Sequence, residues 1–242
     1  METNSISKGG ASPSILMIQK GIAVGFPIML GYLPIAITYG VLAKQAGMTL
    51  TELTSMSIFV FAGASQFMAV NMVAAGAGVA EIIIATFVLN FRHFVMSLSF
   101  MNRLRGIGLK WKVPLSLGLT DETFAMSSLH PEEAKKNKGA LFYTALILTA
   151  YFSWIMGSFL GGVLGEIIPA KLSQSMGIAL YAMFVGLLIP SVKKEKRVGI
   201  IAIFAMLINA LFSQFTSEGW AIVCGTVIGA ASGIFLLKGD SK

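Results

Sequence analysis

Charged residues divide the chain into long uncharged runs. Residues 21–43, 53–80, 139–165, 172–192, 198–217 and 219–237 contain no Asp, Glu, Lys or Arg. Residues 82–102 would be a further run but for Arg92 in its middle. A helix needs about 20 apolar residues to cross a hydrocarbon core of about 30 Å. Each run reaches that length, and none alternates apolar with polar residues as barrel strands do. The pattern predicts an all-α polytopic membrane protein with about seven transmembrane helices. One transmembrane domain over 18–237 would carry polar tails at 1–17 and 238–242. The first run is longer than a cleaved signal core and contains Pro27 and Pro34, so it is read as a span.

Composition excludes most alternatives. Apolar residues make up 55% and charged residues 12%, too few charges to cover a soluble domain of 242 residues. The lone Cys224 allows neither an intrachain disulfide nor a cysteine metal site. No metal or cofactor is expected. The net charge of +7 raises nucleic acid as a partner, but the basic residues sit in loops rather than on one face. With an external N-terminus, inner loops would hold fourteen Lys and Arg, and the outer side only Lys8, Lys20 and Lys171. The positive-inside rule then predicts a multi-pass protein of the cell membrane, N-terminus outside and C-terminus cytoplasmic. The anionic inner leaflet accounts for the basic charge, and no nucleic-acid partner is expected.

Short internal matches suggest a repeat. Gly40-Val41-Leu42 matches Gly162-Val163-Leu164, and Leu50-Thr51-Glu52 resembles Leu172-Ser173-Gln174, both at an offset of 122. Repeats over 18–102 and 138–217 would give a 3+3 inverted arrangement plus one helix, a plan common in secondary transporters. Helix breakers fall inside the spans. Pro27 and Pro34 read either as kinks in a continuous helix or as a true break. Phe61-Ala62-Gly63-Ala64-Ser65-Gln66-Phe67 reads as a close helix contact or as an unwound segment facing a ligand.

The sharpest polar signal is Asn90-Phe91-Arg92-His93 in mid-span. A charge there costs about 2.5–3.5 kcal/mol on insertion scales. Arg92 is either locked to a carboxylate or an anchor for an anionic substrate group. His93 is either a neutral hydrogen-bonding residue or a proton relay. Asp121 and Glu122 stand in an apolar stretch over 113–129, too short for an ordinary span. Thr120 could cap a short helix near 120–129, with both acids at a surface N-terminus or carried into the interior.

In this order, Pro27…Gly31…Pro34, Phe61 to Phe67, Asn90 to His93 and Thr120-Asp121-Glu122 resemble the AzlC-type large subunit of the branched-chain amino acid exporter family. The resemblance spans about 21–235. It implies export of valine, leucine and isoleucine, proton coupling and a small hydrophobic AzlD-type partner. For a zwitterionic amino acid, Arg92 with amides around Gly63, Ala64 and Ser65 would hold the carboxylate. Asp121 or Glu122, with Gln66, would hold the ammonium. Asn90 belongs to the same polar set, and Phe67, Phe87 and Phe124 are expected in the pocket. His93, Asp121 and Glu122 are the candidates for proton coupling. The rivals are a channel or non-transporting assembly subunit, and an intramembrane enzyme. No catalytic spacing supports the enzyme, so none is expected.

Overall fold

The computed structural model describes residues 12–104 and 106–237. Among the described residues ten α-helices follow in order: α1 (Pro13–Gln45), α2 (Leu50–Phe59), α3 (Gly63–Ala74), α4 (Val79–Arg103), α5 (Leu109–Leu117), α6 (Asp121–Leu129), α7 (Gly139–Leu164), α8 (Ala170–Lys194), α9 (Lys196–Phe212) and α10 (Glu218–Leu237). A 3-10 turn over Pro131–Lys135 leads into α7. No strand occurs among the described residues. By length and composition α1, α4 and α7 can each cross a membrane. The expected polar tail is already helical from Pro13, and the expected tail at 238–242 lies outside the described residues. Pro27 and Pro34 leave α1 continuous.

The described residues form two compact units, one within 1–32 and 93–153, the other within 33–92 and 154–242. In the first, α1 and α7 pack side by side. Lys138 Nζ donates to Ser14 Oγ at 2.6 Å, and Ser153 Oγ donates to Met29 O at 2.9 Å. Between these points, a Cβ placed on Gly21 would stand 2.3 Å from the Phe142 carbonyl oxygen. Partner numbers rise together, so the two helices run parallel.

In the same unit α5 and α6 form a hairpin. It starts from a loop where Gly106 lies against Ala134 and turns at Gly118-Leu119-Thr120 beside Tyr32. It returns to His130, whose carbonyl accepts from Tyr143 Oη at 2.8 Å. Phe100, near the end of α4, meets Tyr143 at 5.7 Å between ring centroids. Both hairpin ends therefore lie where α7 begins. Each arm has 9 residues, about 13 Å at 1.5 Å per residue, half of a bilayer core.

The second unit repeats the parallel pairing. A Cβ on Gly161 would stand 2.1 Å from Ile37 O, and one on Gly40 would stand 2.6 Å from Gly162 N. Lys44 pairs with Glu166 at 3.0 Å. The uncharged run 53–80, expected to be one span, is two arms here. α2 runs against α7, with Leu50 and Leu53 beside Gly162 and Ser57 beside Ser158. The chain then breaks at Val60-Phe61-Ala62, with Phe61 at φ 42. α3 leaves from beside Trp154 and runs antiparallel to α4, Ser65 beside Asn90 and Met72 packed with Ala85. α9 and α10 are antiparallel, with Gly225 against Asn209, Gly229 against Ala205 and Gly233 against Ile201. The expected repeat required spans 1 and 4 to be opposed. α1 and α7, which carry those spans, are parallel in both units, because close-packed glycines on each fit the other's backbone in rising register.

Candidate functional site

The candidate residues fall into two clusters. In the second unit, the break between α2 and α3 exposes the start of α3. Its N-cap, Ala62, offers no side-chain hydrogen bond. The first backbone N–H groups of a helix have no intrahelical acceptor, and the helix dipole makes this end electropositive. Gly63 is required by packing: a Cβ there would meet the Trp154 ring at 2.7 Å. Ser65 Oγ donates to Ala62 O at 2.9 Å and accepts from Asn90 Nδ2 at 3.0 Å. Asn90 Oδ1 is buried without a hydrogen-bond partner among the described residues.

Gln66 is fully buried and committed at both ends of its amide. Its Oε1 accepts from Trp154 Nε1 at 2.9 Å, and its Nε2 donates to Ser57 Oγ at 2.9 Å. Ser57 donates to Ser158 Oγ at 2.7 Å, which donates to Trp154 O at 2.8 Å. Phe67 meets Tyr39 edge-on at 5.8 Å, and Tyr39 stacks on Trp154 at 6.4 Å. Phe87 is 69% exposed on α4. Arg92 is on α4 too, but two residues turn a helix by about 200°, so its side chain leaves on a different face from that of Asn90.

In the first unit, Thr120 caps α6. Its side chain accepts from Thr123 N, and the Thr123 side chain accepts from Thr120 N. Asp121 and Glu122 occupy the first turn, as a cap reading predicts. Glu122 also meets the protein interior, where the Tyr32 hydroxyl bonds to its Oε2 and lies 2.6 Å from Thr120 Oγ1. Phe124 lies under the Arg103 guanidinium, 5.3 Å from its ring centroid. His93 lines a groove of about 380 Å³ between α4 and α5, with Ser97, Met101 and Val113. Ser97 Oγ donates to Ser116 O across it at 2.8 Å.

Sequence reasoning missed Tyr32, Ser57, Trp154 and Ser158. A tryptophan or a pair of serines inside an apolar helix was the available signal, since buried polar groups in lipid need partners.

Long apolar helices around a helix broken at buried polar residues make a polytopic membrane protein. The chain belongs to the AzlC family: the family described as AzlC protein matches residues 27–168. A Helicobacter pylori relative, named "Uncharacterized membrane protein", is 33% identical over 76% of this chain and 81% of its own length. The Bacillus subtilis "Branched-chain amino acid transport protein AzlC" is 27% identical over 71% of this chain and 66% of its own. The Escherichia coli "Inner membrane protein YgaZ" is 26% identical over 92% of each. The family match and the Bacillus subtilis relative support a transport role. No solved structure matches the chain.

Proposed function

We propose that the protein is a secondary transporter exporting branched-chain amino acids, coupled to protons and working with a small AzlD-type subunit. The observation that carries this reading is the broken α2–α3 hairpin. Its free amides at positions 63 to 65 suit a substrate carboxylate. The unpartnered Asn90 Oδ1 beside them suits an ammonium. Arg92 supplies positive charge, and Phe67 an apolar wall. Gln66 holds the hairpin to α7 rather than the substrate. Glu122 is the coupling carboxylate, and His93 and Asp121 remain its candidates for relay.

The hairpins also revise the expected topology. We read α2–α3 and α5–α6 as re-entrant, which leaves α1, α4, α7, α8, α9 and α10 as crossings. An external N-terminus with a cytoplasmic C-terminus needs an odd count, whereas six crossings put both termini on one side. That side then carries fifteen of the 18 Lys and Arg, against Lys44 and Lys171 opposite and Arg92 within α4. Both termini are therefore cytoplasmic on this reading.

Flux of valine and leucine into proteoliposomes, with and without the small subunit, tests the function. Saturable flux that responds to an imposed pH gradient supports it. Unsaturable flux indicates a channel, and no flux under either condition indicates an assembly subunit.

A further inference from the structure

Tyr32 of α1 reaches the tip of the α5–α6 hairpin with a single hydroxyl. That hydroxyl bonds to Glu122 Oε2 and lies 2.6 Å from Thr120 Oγ1. Tyr32 is only 5% exposed, so water does not compete freely for it. A phenol has one hydrogen and can donate to only one of these partners at a time. Thr120 Oγ1 in turn lies 3.1 Å from Thr123 Oγ1, and Thr123 can donate to Thr120 O at 3.3 Å.

The chain of hydroxyls has two self-consistent directions. With Glu122 charged, Thr120 donates to Tyr32 and Tyr32 donates to Glu122. With a proton on Glu122 Oε2, Glu122 donates to Tyr32, Tyr32 to Thr120, and Thr120 to Thr123 Oγ1. One proton is added to one carboxylate. Two hydroxyl hydrogens turn about their C–O bonds, and neither leaves its oxygen.

We propose that Tyr32 is a positioning residue that converts the protonation state of Glu122 into the strength of the link between α1 and the α5–α6 tip. A hydrogen bond to a charged carboxylate is roughly twice as strong as a neutral one. The tip is therefore held to α1 while Glu122 is charged and loosens when a proton binds. Thr120 is both the α6 cap and a member of the chain, so reversal of the chain acts at the turn itself. Among the described residues, titratable groups that touch α6 or its ends include Tyr32 of α1, Arg103 of α4 and Tyr143 of α7, with Asp121 and His130 at its own ends; the same neighbouring elements also carry Lys20 on α1, His93 on α4 and Tyr151 on α7. Lys110 and Lys112 stand at the far end of α5.

This rests on the reading of Glu122 as the coupling carboxylate, and the test separates the two. The pH profile of gradient-driven valine transport is measured in proteoliposomes for wild type, Tyr32→Phe and Glu122→Gln, each normalised to its own maximum. Phenylalanine keeps the ring and removes the hydroxyl that joins Glu122 to Thr120. The Tyr32→Phe profile should move away from that of wild type by about one pH unit, a tenfold change in proton concentration. Glu122→Gln should flatten the profile. If Glu122→Gln keeps the wild-type profile, the coupling reading fails, and this inference with it. If Glu122→Gln flattens the profile and Tyr32→Phe leaves it in place, this inference alone fails. Should Tyr32→Phe give no folded protein, Thr120→Val replaces it. That variant removes Thr120 from both directions of the chain, as donor to Tyr32 and as acceptor from it, and should move the profile away from that of wild type. An unmoved Thr120→Val profile overturns the inference.

Discussion

Trp154 donates its indole N–H to Gln66 Oε1 at 2.9 Å, and this bond closes a ring of hydrogen bonds through Ser57 and Ser158 back to the Trp154 carbonyl. Every donor in the ring has an acceptor. The ring ties α2 and α3, on both sides of the break, to one turn of α7. A helix break exposes backbone groups that lipid cannot satisfy, so a hairpin of this kind needs such a tie.

Trp154→Phe keeps most of the ring volume and leaves Gln66 Oε1 buried without a donor. An orphaned buried acceptor is destabilising by about 1–3 kcal/mol. The variant should melt well below wild type in detergent. Ser57→Ala should fall in the same direction, and the double variant should lose less than the sum, because both act on one ring. A Trp154→Phe melting temperature equal to wild type would show that the ring does not hold the hairpin.

Topology is tested by labelling single cysteines in a Cys224→Ser background. Ala46, before α2, and Ala75, after α3, lie at the two ends of the hairpin. Cysteine at either should react with an impermeant maleimide from outside intact cells. Cysteine at Asn137 or Glu195 should react only after permeabilisation. If Ala75 labels from the side opposite to Ala46, α2 and α3 together cross the membrane, and the six-crossing arrangement is wrong.

Much of the architecture was legible in the sequence. Uncharged runs locate α1, α7, α8, α9 and α10, and Thr120 marks the start of α6 at Asp121. The small-residue stretch around Gly63 marks the break in the second run. What hydropathy does not carry is direction. A run of 28 residues, 53–80, has the length of a crossing, yet it folds as two half-length arms. That depends on contacts from Trp154, Ser158 and Asn90, remote in sequence from the break. The same ignorance of direction produced the opposed spans 1 and 4. Candidate site residues were found where polarity is locally conspicuous, as at Asn90 and Glu122. Tyr32 was missed because a tyrosine inside an apolar run carries no local sign of its partner 90 residues away.

The loop before α7 carries a pH-sensitive clamp. Glu133 accepts from Lys20 Nζ at 2.6 Å and from Lys136 Nζ at 2.8 Å, and its side chain is 5% exposed. Burial works to raise the Glu133 carboxyl, but the hydrogen bonds from Lys136 and Lys20 more than offset it, and it titrates below its ordinary 4.5. A carboxyl lowered in the folded state contributes stability above its unfolded value and loses it as pH falls through the folded value. The hydrogen bond to Glu133 raises the Lys136 ammonium above 10.5. That contribution is complete below the unfolded lysine value and is lost as pH rises through the folded one. The clamp should therefore hold across the neutral range and weaken below about pH 4.5. Amide exchange over 130–139 should accelerate there in wild type. Glu133→Gln should exchange faster throughout the neutral range and show no acid transition in this loop. Parallel acid limbs in the two proteins would remove Glu133 from the clamp.

Arg92 is placed inside α4, where a charge needs either a fixed partner or a ligand. Its side chain leaves α4 on a different face from that of Asn90, so a role at the α3 amides requires the long guanidinium stem to reach around the helix. Lysine has a similar stem and the same charge but lacks the planar fork that grips a carboxylate with two hydrogen bonds. If Arg92 anchors substrate, Arg92→Lys should fold at near wild-type yield and bind valine about tenfold or more weakly, the loss of roughly one charge-assisted bond. Arg92→Gln should weaken binding further. If Arg92 is instead a structural pair, both variants should lower yield and melting temperature, and the folded fraction should bind valine with unchanged affinity. Yield, melting temperature and affinity measured on the same preparations separate the two outcomes. Unchanged affinity in a well-folded Arg92→Gln protein takes Arg92 out of the site and leaves the α3 amides and Asn90 to hold the substrate.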